Sequence, residues 1–151
     1  MEVYDPAKAA AVWQRVRGQN GGGQPTGDSL LSLIAGEMTD ATTYLALSRQ
    51  MSGKESVVLR RLFEEEQSHT ACLKGIYTLL TGSRPVVRTV PPEKESAEII
   101  LRKCYGREMR CLAAYEERAG DRDYGPVFAK LAAQEREHCK LVLELIGNLK
   151  K

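Results

Sequence analysis

The chain of 151 residues has little of what marks many functional classes. Only 6% of it is aromatic, and its 22 basic and 20 acidic residues are interspersed to a net charge of +2. Nucleic-acid binding, which uses clustered cations and aromatic platforms, therefore has no footprint here. No apolar run approaches the roughly 18 residues of a membrane span. Met1 to Val12 lacks the basic start and apolar stretch of a secretory signal, so the expected location is the cytoplasm, with no membrane and no nucleic acid as partner. Cysteine occurs at 72, 104, 111 and 139, never as CxxC, which removes zinc ribbons, rubredoxin-type iron centres and thioredoxin-type dithiols. In a chain with no export signal these thiols read as small buried hydrophobes. Histidine is scarcest, with two in the whole chain.

What is present is helical periodicity, punctuated by glycine and proline. A short amphipathic segment, Pro6 to Arg17, sets Ala9, Val12, Trp13 and Val16 on one face and leads into a Gly-rich tract ending at Gly27. Residues 1–27 thus form a short helix and linker, expected to dock on the body of the protein or on a second subunit. Anchoring to an anionic surface by Lys8, Arg15 and Arg17 is the alternative. Residues 28–151 carry four long segments. The first runs from about Asp28, a good N-cap, to Met51. The second follows Ser52-Gly53-Lys54-Glu55, a capping-box pattern, and ends near Leu80. A Pro-rich connector, Ser83 to Pro92, precedes the third, about Glu93 to Ala119. Gly125-Pro126 opens the fourth, which ends near Leu149. The class is all-α.

Each segment has an apolar stripe at three- and four-residue spacing, and each stripe is interrupted by an acid: Glu37, Glu66, Glu108 and Glu135. Two stripes add a histidine three residues on, in Glu66-Gln-Ser-His69 and Glu135-Arg-Glu-His138. That spacing puts acid and imidazole on one helix face. An ionised carboxylate on a core stripe costs many kcal/mol unless it is paired, protonated or bound to metal. Four of them cannot neutralise one another. Two divalent cations would balance four carboxylates, with neutral imidazoles as nitrogen ligands.

Heights along the helices agree. Glu37 is 16 residues before Gly53 and Glu66 is 13 after it, while Glu108 and Glu135 lie 14 and 13 residues from Arg122. In antiparallel hairpins all four sit roughly 20 Å from their turns, at mid-height. There is also an internal repeat. Gly36-Glu37-Met38 with Tyr44 recurs as Arg107-Glu108-Met109 with Tyr115, each followed 27 to 29 residues later by Glu-x-x-His. The expectation is a duplicated hairpin related by a pseudo-twofold.

Taken together, residues 28 to 149 resemble the ferritin-like diiron-carboxylate proteins, and among them the rubrerythrin branch, in Gly36-Glu37 with Tyr44, Glu66-x-x-His69, Glu108 with Tyr115 and Glu135-x-x-His138. The resemblance implies a ferritin-like four-helix bundle with a crossover between helices two and three. It implies metal ligands at Glu37, Glu66, His69, Glu108, Glu135 and His138. Glu66 and Glu135 would bridge two metals or cap one each, and each histidine would bind one. The metals would be two Fe ions, with Mn as the alternative. The implied activity is an oxidoreductase acting on peroxide or dioxygen, with storage or buffering of iron, or dimanganese catalase chemistry, as alternatives.

Two departures qualify the likeness. Rubrerythrins usually carry a further glutamate three residues after the third-helix Glu, where this chain has Cys111. They also commonly append a CxxC domain, so a separate electron-donor protein would be the partner. Asp40 occupies the place matching Cys111 in the repeat, as an acceptor for a metal-bound histidine or as a solvated edge residue. Tyr44 and Tyr115 are expected in the core with satisfied hydroxyls. Cys111 as a thiolate ligand is a lesser option. The connector spans its gap only tautly, which a hairpin-swapped homodimer would relieve.

Overall fold

The computed structural model describes residues 29–92 and 94–150. They form four helices: α1 Leu30–Gln50, α2 Gly53–Thr81, α3 Ala97–Arg118 and α4 Gly125–Leu149. Among the described residues there is no strand. The amphipathic segment expected at Pro6 to Arg17, and Asp28, lie outside them.

The ends of the helices explain most of their boundaries. The Ser29 hydroxyl, rather than Asp28, caps α1 by accepting from the Ser32 amide at 3.1 Å. The turn into α2 differs from the capping box expected there. Ser52 makes no side-chain cap bond, and the helix begins at once with Gly53 at φ 65°, a conformation that suits glycine. The Ser56 hydroxyl clasps the turn instead, donating to the Ser48 carbonyl at 2.7 Å. At the other hairpin, Asp121 accepts from the amides of Asp123 and Tyr124 at 3.0 and 2.8 Å, an Asx-type turn. Gly125 then passes so close to the Ala119 carbonyl that a Cβ would stand 2.5 Å from its oxygen. α3 starts at Ala97, later than the sequence pattern suggested, because the Ser96 hydroxyl caps the Ile99 amide.

The topology follows from two hydrogen bonds. Tyr44, late in α1, meets Glu108, early in α3, whereas Tyr115, late in α3, meets Glu37, early in α1. α1 and α3 are therefore antiparallel. Each is also antiparallel to its hairpin partner, so α2 and α3 run parallel and residues 82–96 must cross the length of the bundle. From Glu66 up to Thr81 and from Glu108 back to Ala97 the helical rise sums to about 39 Å. Fifteen extended residues reach about 50 Å, so the late start of α3 gives the crossover slack. Val87 packs against one end of the core, Thr89 lines a cleft with Met38 and Thr42 of α1, and Val90 and Pro91 line another with Thr39 and Thr43 of α1 and Ile100 and Lys103 of α3.

The core is split into two apolar layers. The first joins Leu30, Leu33 and Ile34 of α1 to Leu73, Ile76 and Leu80 of α2, Tyr115 of α3 and Phe128 and Leu131 of α4. The second joins Tyr44 and Leu47 to Leu59, Leu62, Leu101, Cys104, Val142 and Leu145. Each fully buried Leu or Phe contributes roughly 1.5–3 kcal/mol, so the two layers supply the bulk of the drive to pack. Between them, at mid-height on all four helices, lies a layer that is almost entirely polar.

Candidate metal centre

The residues between the apolar layers are the six singled out by the stripes. Glu37, Glu66, His69, Glu108, Glu135 and His138 are all buried, none more than 2% exposed. The structure brings all six together. Each histidine turns Nδ1 inward. His69 Nδ1 lies 3.0 Å from Glu135 Oε1 and 3.4 Å from Glu37 Oε2. His138 Nδ1 lies 2.7 Å from Glu66 Oε1 and 3.5 Å from Glu108 Oε2. The two imidazoles stack across the centre with ring centroids 5.2 Å apart and planes 19° apart. Every one of these contacts has a counterpart under exchange of the hairpins, so the pseudo-twofold read from the repeat is present in space.

Several of these groups are close but unsatisfied. Glu37 Oε2, both oxygens of Glu66, Glu108 Oε2, Glu135 Oε2 and both nitrogens of His138 are buried without a hydrogen-bond partner among the described residues. The 2.7 Å approach of His138 to Glu66 is thus an approach without hydrogen-bond alignment. Buried polar atoms are rarely left this way, because each costs about 1–3 kcal/mol. One ligand atom each from Glu66, His69, Glu135 and His138 lies within 4.8 Å of the others, as do atoms of Asp40, Glu66 and Glu108. The donor set, oxygen and imidazole nitrogen, suits iron, manganese or zinc.

The electrostatics report the same crowding. For Glu66, burial and then the negative charges of Glu37 and Glu108 push the carboxyl well above its ordinary range. Burial and Glu37 do the same to Glu135. Burial would also raise Glu37, but the Glu66 carboxyl and the His69 imidazole beside it prevail and hold it at about 2. Glu108 is lowered likewise, against burial, by Glu135 and His138. Glu66 and Glu135 are thus pushed toward the protonated form and Glu37 and Glu108 toward the ionised one. Four ionised carboxyls would need cations among them.

The tyrosines sit where the sequence put them, in the core with satisfied hydroxyls. Tyr44 donates to Glu108 Oε1 at 2.8 Å and Tyr115 to Glu37 Oε1 at 2.5 Å, so each aims one carboxylate. Asp40 does neither of the things expected of it. It is buried, not solvated, and its partner is Arg107, whose Nε is 2.5 Å from Oδ1, rather than a histidine. Cys111 packs in the first apolar layer, and among the described residues it joins no cluster of metal-ligating side chains. Burial carries the Cys104 thiol up to about 12, and all four cysteines are free of disulfides. Sequence reasoning missed Gln134, whose Oε1 is 2.9 Å from His69 Nε2, and Arg107. The repeat held the signal for both, since they immediately precede Glu135 and Glu108.

Fold and centre together define a ferritin-like four-helix bundle with a carboxylate–imidazole layer at mid-height. Among solved structures the chain is similar to a bacterioferritin from Desulfovibrio desulfuricans, described by its diiron site in different catalytic states. The TM-score is 0.65 at 14% identity, over 96% of this chain and 81% of that one. Neither a family profile nor a curated protein sequence matches. At that identity the likeness shows the fold. Among the described residues no helix is long and apolar enough to cross a membrane.

Proposed function

We propose that the protein is a diiron-carboxylate oxidoreductase acting on peroxide or dioxygen. The observation that carries the proposal is the layer itself: four buried carboxylates and two imidazoles, with most of their inner atoms unsatisfied, held between two well-packed apolar layers. Glu37 with His69 and Glu108 with His138 each suit one metal, and Glu66 and Glu135 lie between the two sets. Two divalent cations offset the four carboxylates. The tyrosine hydroxyls keep Glu37 and Glu108 turned to the centre, and the apolar layers hold water away from it. Bound iron would supply the electrons that reduce the oxidant, and a separate donor protein would restore them.

A store or buffer of iron without turnover is the second reading. It is favoured by Cys111, which stands where rubrerythrins usually carry a further glutamate. Elemental analysis after anaerobic Fe(II) loading, then visible spectra before and after peroxide, decide the matter. Two irons per chain and a spectral change with peroxide support the oxidoreductase. Two irons with no change, and release that matches loading, support the store. Two manganese ions in protein purified without added metal would redirect the assay to catalase activity. No uptake of any of these metals sinks the proposal.

A further inference from the structure

The repeat pairs one more couple of residues. Glu65 and Gln134 each stand one place before the glutamate of a Glu-x-x-His. Each reaches across between α2 and α4 toward the outer nitrogen of the opposite histidine. Gln134 Oε1 lies 2.9 Å from His69 Nε2, a hydrogen bond. Glu65 Oε1 lies 3.7 Å from His138 Nε2, which is too far for one. Glu65 is held instead by Arg61, whose Nε is 2.9 Å from Oε2, one turn earlier on the same helix and largely exposed. His138 Nε2 is buried and has no hydrogen-bond partner among the described residues.

An imidazole that offers Nδ1 to a metal carries its proton on Nε2, and the group accepting that proton fixes both tautomer and ring direction. His69 has such an acceptor and His138 does not. We propose that the two metal positions are unequal and fill in order. The position built on Glu37 and His69 takes the first ion, because Gln134 holds His69 ready. The position built on Glu108 and His138 takes the second, as Glu65 exchanges Arg61 for His138. Gln134 and Glu65 are positioning residues, acting through the histidines. The inference rests on the dimetal reading above.

Charge alone would argue for the opposite order, since Asp40 approaches Glu108 and Glu65 approaches His138. Each of those acids is already matched by a guanidinium, Arg107 for Asp40 and Arg61 for Glu65. The difference in hydrogen bonding is what remains to set the order.

Titration of the metal-free protein with cobalt(II), followed by calorimetry and by the visible absorption of bound cobalt, tests this. The wild type should take two ions in separate steps. Gln134→Leu should weaken the first step about 10- to 100-fold and leave the second nearly unchanged, so that the steps merge. Gln134→Glu, which restores an acceptor, should bring the tight step back. Glu65→Gln removes the ion pair with Arg61 and frees an acceptor for His138, so the second step should tighten toward the first. This last variant replaces a half-buried side chain by one of the same shape and keeps the test decisive if Gln134→Leu fails to fold. Two equal steps in the wild type, or equal weakening of both steps by Gln134→Leu, would overturn the inference while leaving a dimetal site. A folded wild type that binds no cobalt would instead remove the dimetal reading itself.

Discussion

Two places related by the repeat are made of opposite materials. On one side of the bundle Asp40 of α1 meets Arg107 of α3 in a buried charged clasp that also touches the Cys104 thiol. On the other, the equivalent residues are Cys111 and Gly36, and a Cβ on Gly36 would come no nearer than 4.0 Å to the Cys111 sulfur. The six inner residues and the two tyrosines keep their symmetry while this outer pair does not. The same frame thus holds an ion pair in one place and a small apolar contact in the other. In the inner layer each residue is instead the partner of another, and the contacts are the same on both sides.

The comparison can be broken most severely at the clasp. Arg107→Leu leaves Asp40 buried beside Glu108 without its cation. Loss of one partner of a buried pair costs about 3–5 kcal/mol, and Arg107's partial exposure places the effect near the low end. Urea denaturation of the metal-free protein reads it directly, and a loss under about 1 kcal/mol would mean the clasp is idle. Next comes the reverse experiment. Cys111→Asp puts an unpaired carboxyl into the first apolar layer and should destabilise by about 2–3 kcal/mol. Adding Gly36→Arg should recover much of that loss if the two places are equivalent; no recovery would show that they are not.

A subtler effect separates the metal-free from the loaded protein through pH. Glu66 and Glu135 are carboxyls raised by burial and by neighbouring charge, so their contribution to stability is full below the unfolded value and lost as pH rises through the folded one. Glu37 and Glu108 are lowered, and their contribution is lost as pH falls toward the Glu37 value of about 2. The metal-free protein should therefore be most heat-stable in mild acid and weaken as pH rises. The loaded protein should show the opposite trend up to neutrality, because carboxyls that hold a metal must be ionised. Melting curves across pH, with calorimetry in buffers of different ionisation heat, check both. A melting temperature of the metal-free protein that climbs steadily with pH would contradict the assignment. The smallest effect is expected from Gly36→Ala. Its Cβ meets only ordinary contact and relieves a helical glycine, so a gain of about 0.5–1 kcal/mol should appear in the same denaturation assay.

The sequence was most readable where physics leaves few choices. An acid on a core stripe has no bland explanation, so Glu37, Glu66, Glu108 and Glu135 announced themselves, and helix rise alone set them level. The turn chemistry was less legible. Ser52 and Glu55 match a capping box, yet Ser52 makes no cap bond, Gly53 takes a positive φ, and Ser56 clasps the turn from a position no local pattern marks. The start of α3 was misjudged because helix formers precede Ser96, while a capping serine decides the matter. Asp40 was misread for a different reason. Its partner lies 67 residues away, and nothing local tells a solvated aspartate from one paired across the bundle. Gln134 was overlooked because a glutamine is unremarkable until the repeat is laid over itself.

The crossover is the sole covalent tie between the two described hairpins. Cut there, the chain would become two fragments, one holding Glu37, Glu66 and His69, the other Glu108, Glu135 and His138. Each fragment alone would expose an apolar stripe carrying half a ligand set, with three donors where a metal ion prefers more. Rejoined, they would share both. The bundle would then behave as a two-component adhesive whose hardener is the metal: the nicked halves should stay together when loaded and drift apart when it is stripped.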